Sequence, residues 1–189
     1  MPSFCGKAQL SELPMPEGKA ASSGAAGAVG RDPSVTIRTF RPEDGPSVEA
    51  ILRSSPQAAQ WTQDAVTRFL TSIPGAGAHF FVAESGGAVT GFLMARQVAK
   101  EAEILNIAVL PAYRRSGQAT ELLREGTMQW NAGGVTMIFL EVRESNQAAI
   151  AFYEANGFTV RGRRPTYYRE PEEAAICMMR KVTGFPVQD

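Results

Sequence analysis

The chain has 189 residues, with 19 Lys and Arg against 19 Asp and Glu, a formal net charge of zero and a sequence pI of about 6.6. That balance supplies no overall field to recruit nucleic acid or an anionic membrane, so an anionic ligand must be held by a local basic cluster. Hydrophobic content of 44% and charged content of 20% suit one soluble globular domain.

Cys5 and Cys177 lie far apart and His79 is the only histidine, so the sequence offers no Cys/His zinc cluster and no metal is expected. Two cysteines without a secretory signal lead us to expect free thiols in a cytoplasmic protein. No apolar run approaches the roughly 20 residues of a membrane span.

Residues 1–33 carry almost no large apolar side chains around Ser22 to Ala28 and read as a flexible tail. The domain is expected over 34–182, followed by a C-terminal tail at 183–189. Its first strand is Val35 to Phe40, and Val48, Ile51 and Leu52 mark the apolar stripe of a helix after Arg41-Pro42-Glu43-Asp44. A second helix is expected from Thr62, with Val66, Phe69, Leu70 and Ile73 on one face, ending at Pro74-Gly75. His79 to Glu84 and Ala88 to Val98 form a hairpin about Ser85-Gly86-Gly87. His79, at its entrance, reads as a satisfied edge residue rather than a catalyst.

Glu103 to Leu110 is apolar on both faces, as in a central strand covered on both sides, although Asn106 within it needs a hydrogen-bond partner if buried. After a loop holding Arg114, Arg115 and Gly117, the residues Ala119, Leu122, Leu123, Gly126 and Trp130 define a helix that stops at Gly133-Gly134. The strand Val135 to Val142 completes a βαβ unit, whose right-handed crossover puts both strand ends on one edge of the sheet. Asn146 caps the next helix, which carries Ala149, Ile150, Phe152 and Tyr153 and stops at Asn156-Gly157. Two last strands, Phe158 to Arg163 and Ala174 to Lys181, are expected to flank a loop from Pro165 to Pro171.

Read from spacing alone, Arg114 to Thr120 is equally a solvated turn or a phosphate cradle, in which helix-start N–H groups and the fork of Arg114 or Arg115 meet an anion. Neither a P-loop nor a dinucleotide fingerprint is present. Spacing likewise leaves Tyr153 as a core aromatic, although Phe152 suits that role better, and Glu141 as a strand glutamate paired with an arginine such as Arg143 or Arg161. Tyr167 and Tyr168 either hold a ligand or seal the sheet edge.

The run Asn106-Ile-Ala-Val-Leu-Pro-Ala-Tyr-Arg-Arg-Ser-Gly-Gln-Ala119 resembles the acetyl-CoA signature R/Q-x-x-G-x-G/A of the GNAT acetyltransferase superfamily. Leu140-Glu-Val-Arg-Glu-Ser-Asn146 and Ala148-Ala-Ile-Ala-Phe-Tyr-Glu-Ala-Asn-Gly-Phe158 extend the similarity toward its RimI branch, the ribosomal-protein alanine N-terminal acetyltransferases. The resemblance covers about residues 34 to 182. It implies an α/β (α+β) fold: a mixed, mostly antiparallel sheet of about seven strands, splayed between two central parallel strands and flanked by about four helices.

It also implies a cytoplasmic enzyme that acetylates a protein N-terminus, possibly that of a ribosomal protein, with acetyl-CoA as cosubstrate. Ile107, Ala108 and Val109 would meet the pantetheine together with Asn146, and Arg114, Arg115, Ser116, Gly117, Gln118, Ala119 and Thr120 would hold the pyrophosphate. Glu141 would be the general base, Tyr153 the acid at the departing thiolate, and Tyr167 and Tyr168 the substrate-side contacts. Three departures stand out: Ala119 replaces the commoner second glycine, Thr166 an asparagine and Ala174 an acid. A small amine or a lysine side chain is the alternative acceptor, and a non-catalytic acetyl-CoA-binding module the alternative role.

Overall fold

The computed structural model describes residues 35–55 and 77–182. The tails, Cys5 and the helix expected from Thr62 lie outside the described residues. Seven strands form one sheet: β1 (Thr36–Thr39), β2 (Ala78–Ser85), β3 (Ala88–Val98), β4 (Glu101–Val109), β5 (Met137–Arg143), β6 (Thr159–Arg169) and β7 (Glu172–Lys181). Their spatial order is β1-β2-β3-β4-β5-β7-β6. Every neighbouring pair is antiparallel except β4 and β5. Three α-helices are described: α1 (Gly45–Arg53), α2 (Gln118–Ala132) and α3 (Gln147–Ala155).

The turns follow from local chemistry. Gly86 and Gly87 take φ of 59° and 79° between β2 and β3, values that suit the tight hairpin turn required there. The parallel pair β4 and β5 cannot be joined by a tight turn, and α2 makes the crossover between them.

Alternation along the strands divides the core into two layers. On one face, Val48, Ile51 and Leu52 of α1 pack on Phe80, Val82, Phe92, Met94, Leu105 and Ala108. On the other, α2 and α3 contribute Leu122, Leu123, Trp130, Ala149 and Tyr153 against Phe81, Leu93, Ile104, Ile107, Ile138, Leu140 and Val142. β4 is buried continuously from Ala102 to Val109, as a strand covered on both faces requires. Arg38 of β1 pins the start of α1 by donating to both oxygens of Asp44, at 2.7 and 2.9 Å, while also pairing with Glu84 at 2.8 Å. His79 sits half-buried in β2, bonded to Gln97 at 3.2 Å, with its ring against the indole of Trp130.

One feature of this sheet positions the facing ends of β4 and β5. β4 and β5 pair only from Glu101↔Met137 to Ile104↔Leu140. Beyond that point β4 carries a bulge: Met94 faces Asn106 whereas Ala95 faces Ile104, so Leu105 is the extra residue. A bulge bends its strand and ends regular pairing. The two central strands therefore separate toward their C-terminal ends.

Candidate active site

The bulge sets which backbone groups face the gap. Leu110 donates to the Thr90 carbonyl at 2.8 Å, and antiparallel alternation then turns the N–H and C=O of Ile107 and Val109 away from β3, toward the side β5 has left. Ala108 points its backbone at β3 and its side chain into the α1 layer. A 3-10 turn, Pro111–Tyr113, leads into the basic loop.

In that loop Arg115 has φ of 59° and Gly117 φ of 88°. Gly117 is the N-cap of α2, and no described side chain caps the helix. The first N–H groups of a helix have no intrahelical partner, so those at Gln118, Ala119 and Thr120 form an uncapped, electropositive terminus. A Cβ on Gly117 would touch nothing within 4 Å, which leaves backbone conformation as the reason glycine suits this position.

Several side chains here differ from expectation. Arg114 turns inward and donates from Nε to the Val109 carbonyl at 3.0 Å, so it braces the loop against β4. Arg115 is exposed and is left as the cation facing outward from the loop. The Ser116 hydroxyl donates to the Tyr113 carbonyl at 2.6 Å. Gln118 is buried, with its Oε1 accepting from the Thr90 hydroxyl at 2.8 Å, and only its backbone N–H remains at the helix start. Ala119 is half-buried and Thr120 exposed.

Across the gap, Glu141 lies on β5 just after the last residue paired with β4. It has no solvent exposure. Its Oε1 accepts from Nη1 of Arg164 at 2.9 Å, and the Cys177 thiol lies 3.7 Å from the same oxygen. Glu141 is thus paired with an arginine, but with Arg164 of β6 rather than Arg143 or Arg161. Arg143 instead pairs with Glu173 at 3.0 Å. Tyr167 approaches the Glu141 carboxylate, and burial together with the hydrogen bond to Glu141 pushes its phenol pKa up. Glu141 Oε2 has no hydrogen-bond partner among the described residues.

The stretch holding the tyrosines is a correction to the sequence reading. The loop expected from Pro165 to Pro171 is largely strand, because β6 continues to Arg169 with its register to β7 broken between Arg164 and Tyr168. The break separates the fates of the two tyrosines. Tyr167 turns to Glu141 with the Arg164 guanidinium 4.6 Å above its ring, whereas Tyr168 is buried beneath Arg143 at 4.1 Å. Of the pair, Tyr168 suits the edge-sealing role.

Tyr153 approaches from the other layer. It is fully buried against Phe158, and its hydroxyl has no partner among the described residues. Burial, with a smaller contribution from Tyr168, pushes its pKa up. Phe152 is only half-buried, so Tyr153 and not Phe152 occupies the core position. Asn146 caps α3 as expected, its Oδ1 accepting from the Ala149 N–H at 3.1 Å. By the alternation of β5, Glu141 belongs to the α1 face while Leu140 and Val142 join Tyr153 in the α2 and α3 layer. The two residues expected to act on one reaction therefore lie on opposite faces of the sheet, and the parting of β4 from β5 is where those faces communicate.

Two further polar groups on β4 share the Glu141 face, Glu103 and Asn106. Glu103 is paired with Arg96, and its Oε1 has no partner among the described residues; burial is the main influence raising its pKa, with Arg96 opposing and Glu141 adding to it. Asn106 is fully buried, and neither its Oδ1 nor its Nδ2 is bonded to a described residue. The sequence flagged Asn106 as needing a partner but gave no reason to single out Glu103 or Arg164, because strand register decides what they face.

The family model described as Acetyltransferase (GNAT) family matches residues 46–158, and the chain belongs to that family of N-acetyltransferases. Over 100 residues it is 39% identical to the [Ribosomal protein bS18]-alanine N-acetyltransferase of Escherichia coli K12, spanning 52% of this chain and 68% of that protein. The N-alpha-acetyltransferase RimI of Mycobacterium tuberculosis is 39% identical over 106 residues, 54% of this chain and 65% of that one. The crystal structure of the ribosomal-protein-S18-alanine N-acetyltransferase from Escherichia coli superposes with a TM-score of 0.68 at 30% identity, covering 82% of this chain and 98% of that one.

Proposed function

We propose that this enzyme transfers an acetyl group from acetyl-CoA to the N-terminal α-amine of a protein, with a ribosomal protein beginning with alanine as the preferred acceptor. The observation that carries this reading is the pair of unpartnered buried atoms, Glu141 Oε2 and Tyr153 Oη, on opposite sides of the parted strands. The acceptor's identity rests on the relatives of known name, and the donor's on the fit of the cradle.

The cradle suits the donor. Backbone groups of Ile107 and Val109 face the gap, where an amide-bearing pantetheine can pair with them, and the uncapped N–H groups of Gln118, Ala119 and Thr120 with Arg115 suit a pyrophosphate. Gly117 and Ser116 shape that loop, Arg114 braces it, and Asn146 borders the pantetheine arm. Acetyl-CoA brings the reactive thioester.

An α-amine has a pKa of about 7.7 to 8.0, so much of it arrives protonated and must lose a proton before attack. Glu141 Oε2 takes that proton directly or through one water. The freed amine adds to the thioester carbonyl, its nitrogen gives up a second proton to solvent, the C–S bond breaks, and the sulfur leaves as a thiolate while accepting a hydrogen bond from Tyr153. A phenol near 10 is already a weak acid toward a thiol near 8.5, by about 2 kcal/mol. Burial raises Tyr153 further, so its contribution is a hydrogen bond that tightens as charge gathers on sulfur. Tyr167, beside Glu141, borders the acceptor.

Intact-mass measurement on a panel of N-terminal peptides incubated with acetyl-CoA tests the proposal. One acetyl group on alanine-starting peptides is expected. Acetylation of a small amine or an internal lysine in preference to every such N-terminus would overturn it.

A further inference from the structure

We infer that Arg164 is a positioning residue for the acetyl transfer, holding Glu141 as an oriented carboxylate with Oε1 occupied and Oε2 left for the acceptor's proton. This rests on the reading of Glu141 as base and adds the group that makes a base workable at a fully buried position. A carboxylate removed from water is costly unless a countercharge and hydrogen bonds replace its hydration. Glu141 has no solvent exposure, yet general-base chemistry needs it ionised before the amine arrives.

The groups facing Glu141 among the described residues come from three strands. Glu103 of β4, with Arg96 paired behind it, is an acid and adds repulsion. Cys177 of β7 offers a weak thiol donor at 3.7 Å. Tyr167 of β6 offers a neutral phenol. Arg164, also of β6, is the cation in contact with it, at 2.9 Å. The nearby arginines are directed elsewhere: Arg143 to Glu173, and Arg163 to both oxygens of Glu144 at 2.6 Å.

The contact is also one-sided. Arg164 donates to Oε1, while Oε2 has no hydrogen-bond donor among the described residues. Its guanidinium rests on the Tyr167 ring, and such stacking restrains the fork. The Arg164 side chain remains 46% exposed while Glu141 is 0% exposed, so the pair spans from solvent to the buried base. The register break between Arg164 and Tyr168 is what allows both Arg164 and Tyr167 to address one carboxylate, a placement regular alternation would deny to residues three apart.

The test is steady-state kinetics of the full chain, with kcat measured at saturating acetyl-CoA and alanine-starting peptide and KM by varying the peptide, comparing wild type, Arg164→Gln, Arg164→Lys and Glu141→Gln. Arg164→Gln removes the cation that orients the carboxylate, so kcat is expected to fall about tenfold or more while KM for the peptide stays within about twofold. Arg164→Lys keeps a cation within reach of Oε1 and restores most of the turnover. An unchanged kcat in Arg164→Gln, a loss confined to KM, or no rescue by Arg164→Lys, with Glu141→Gln inactive, overturns the role of Arg164 alone. Full activity in Glu141→Gln overturns the reading of the base instead.

Discussion

The proposed donor side of the gap, from Ile107 to Thr120, is continuous in sequence and works mainly through backbone groups. The proposed acceptor side gathers Glu141 from β5, Arg164 and Tyr167 from β6 and Cys177 from β7, and works through side chains. A backbone cradle tolerates exchange of most of its side chains, as long as Gly117 keeps its φ of 88°. A side-chain constellation depends on each residue and on the register that brings it there. The two halves should therefore fail in different ways.

Four experiments sharpen or break that contrast. The largest effect belongs to Glu141→Gln, which should lower kcat by about 10² to 10⁴, the range for a lost general base, while KM for acetyl-CoA stays near wild type. A large rise in that KM instead would mean that Glu141 serves the donor side. Tyr153→Phe should cost about tenfold to a hundredfold in kcat, at or below the cost of deleting one donor from an oxyanion hole. Because its hydroxyl is buried without a partner, thermal stability should hold or rise in the same variant, and calorimetry checks this.

Gly117→Ala tests the cradle. Its added Cβ has open space, so the penalty is left-handed backbone alone, about 1 to 2 kcal/mol. That predicts KM for acetyl-CoA up by about 5 to 30-fold with kcat preserved at saturation, measured by steady-state kinetics.

The smallest effect concerns the anchor of α1 over the acceptor face. Asp44 has its pKa lowered, chiefly by the hydrogen bonds from Arg38, so the carboxylate is the form the fold favours. For an acid with a depressed folded pKa, this stabilisation is fully present above the unfolded value of about 4 and is lost as pH falls through the lowered one. Asp44→Asn should be about 1 kcal/mol less stable at pH 7, as for a partly solvated ion pair, and indistinguishable from wild type at pH 2. A difference independent of pH would show that packing, not charge, holds the helix.

Much of the fold was legible because its signals are local. The strand-like run from Ala88 to Val98, the Gly86-Gly87 turn, the stripe from Leu122 to Trp130 and the Asn146 cap each depend on residues a few positions apart. The break in β6 was not legible, because the run around Pro165 and Thr166 looks like a loop, and only the pairing of Arg164 on one side and of Tyr168 and Arg169 on the other with β7 makes it an interruption within a strand. Arg114 misled for a related reason: a basic residue in an anion-binding motif suggests an outward fork, and only the nearby Val109 carbonyl turns it in.

By itself, then, the amino-acid sequence determined the βαβ core, the motif from Arg114 to Ala119 and the residue types at Glu141 and Tyr153, since periodicity and short motifs are properties of the chain. Tertiary structure alone decided that Leu105 bulges, that β4 and β5 part after Ile104 and Leu140, and that Arg164 rather than Arg143 or Arg161 meets Glu141. Those outcomes depend on register between strands distant in sequence, where a shift of one residue exchanges the faces of every side chain.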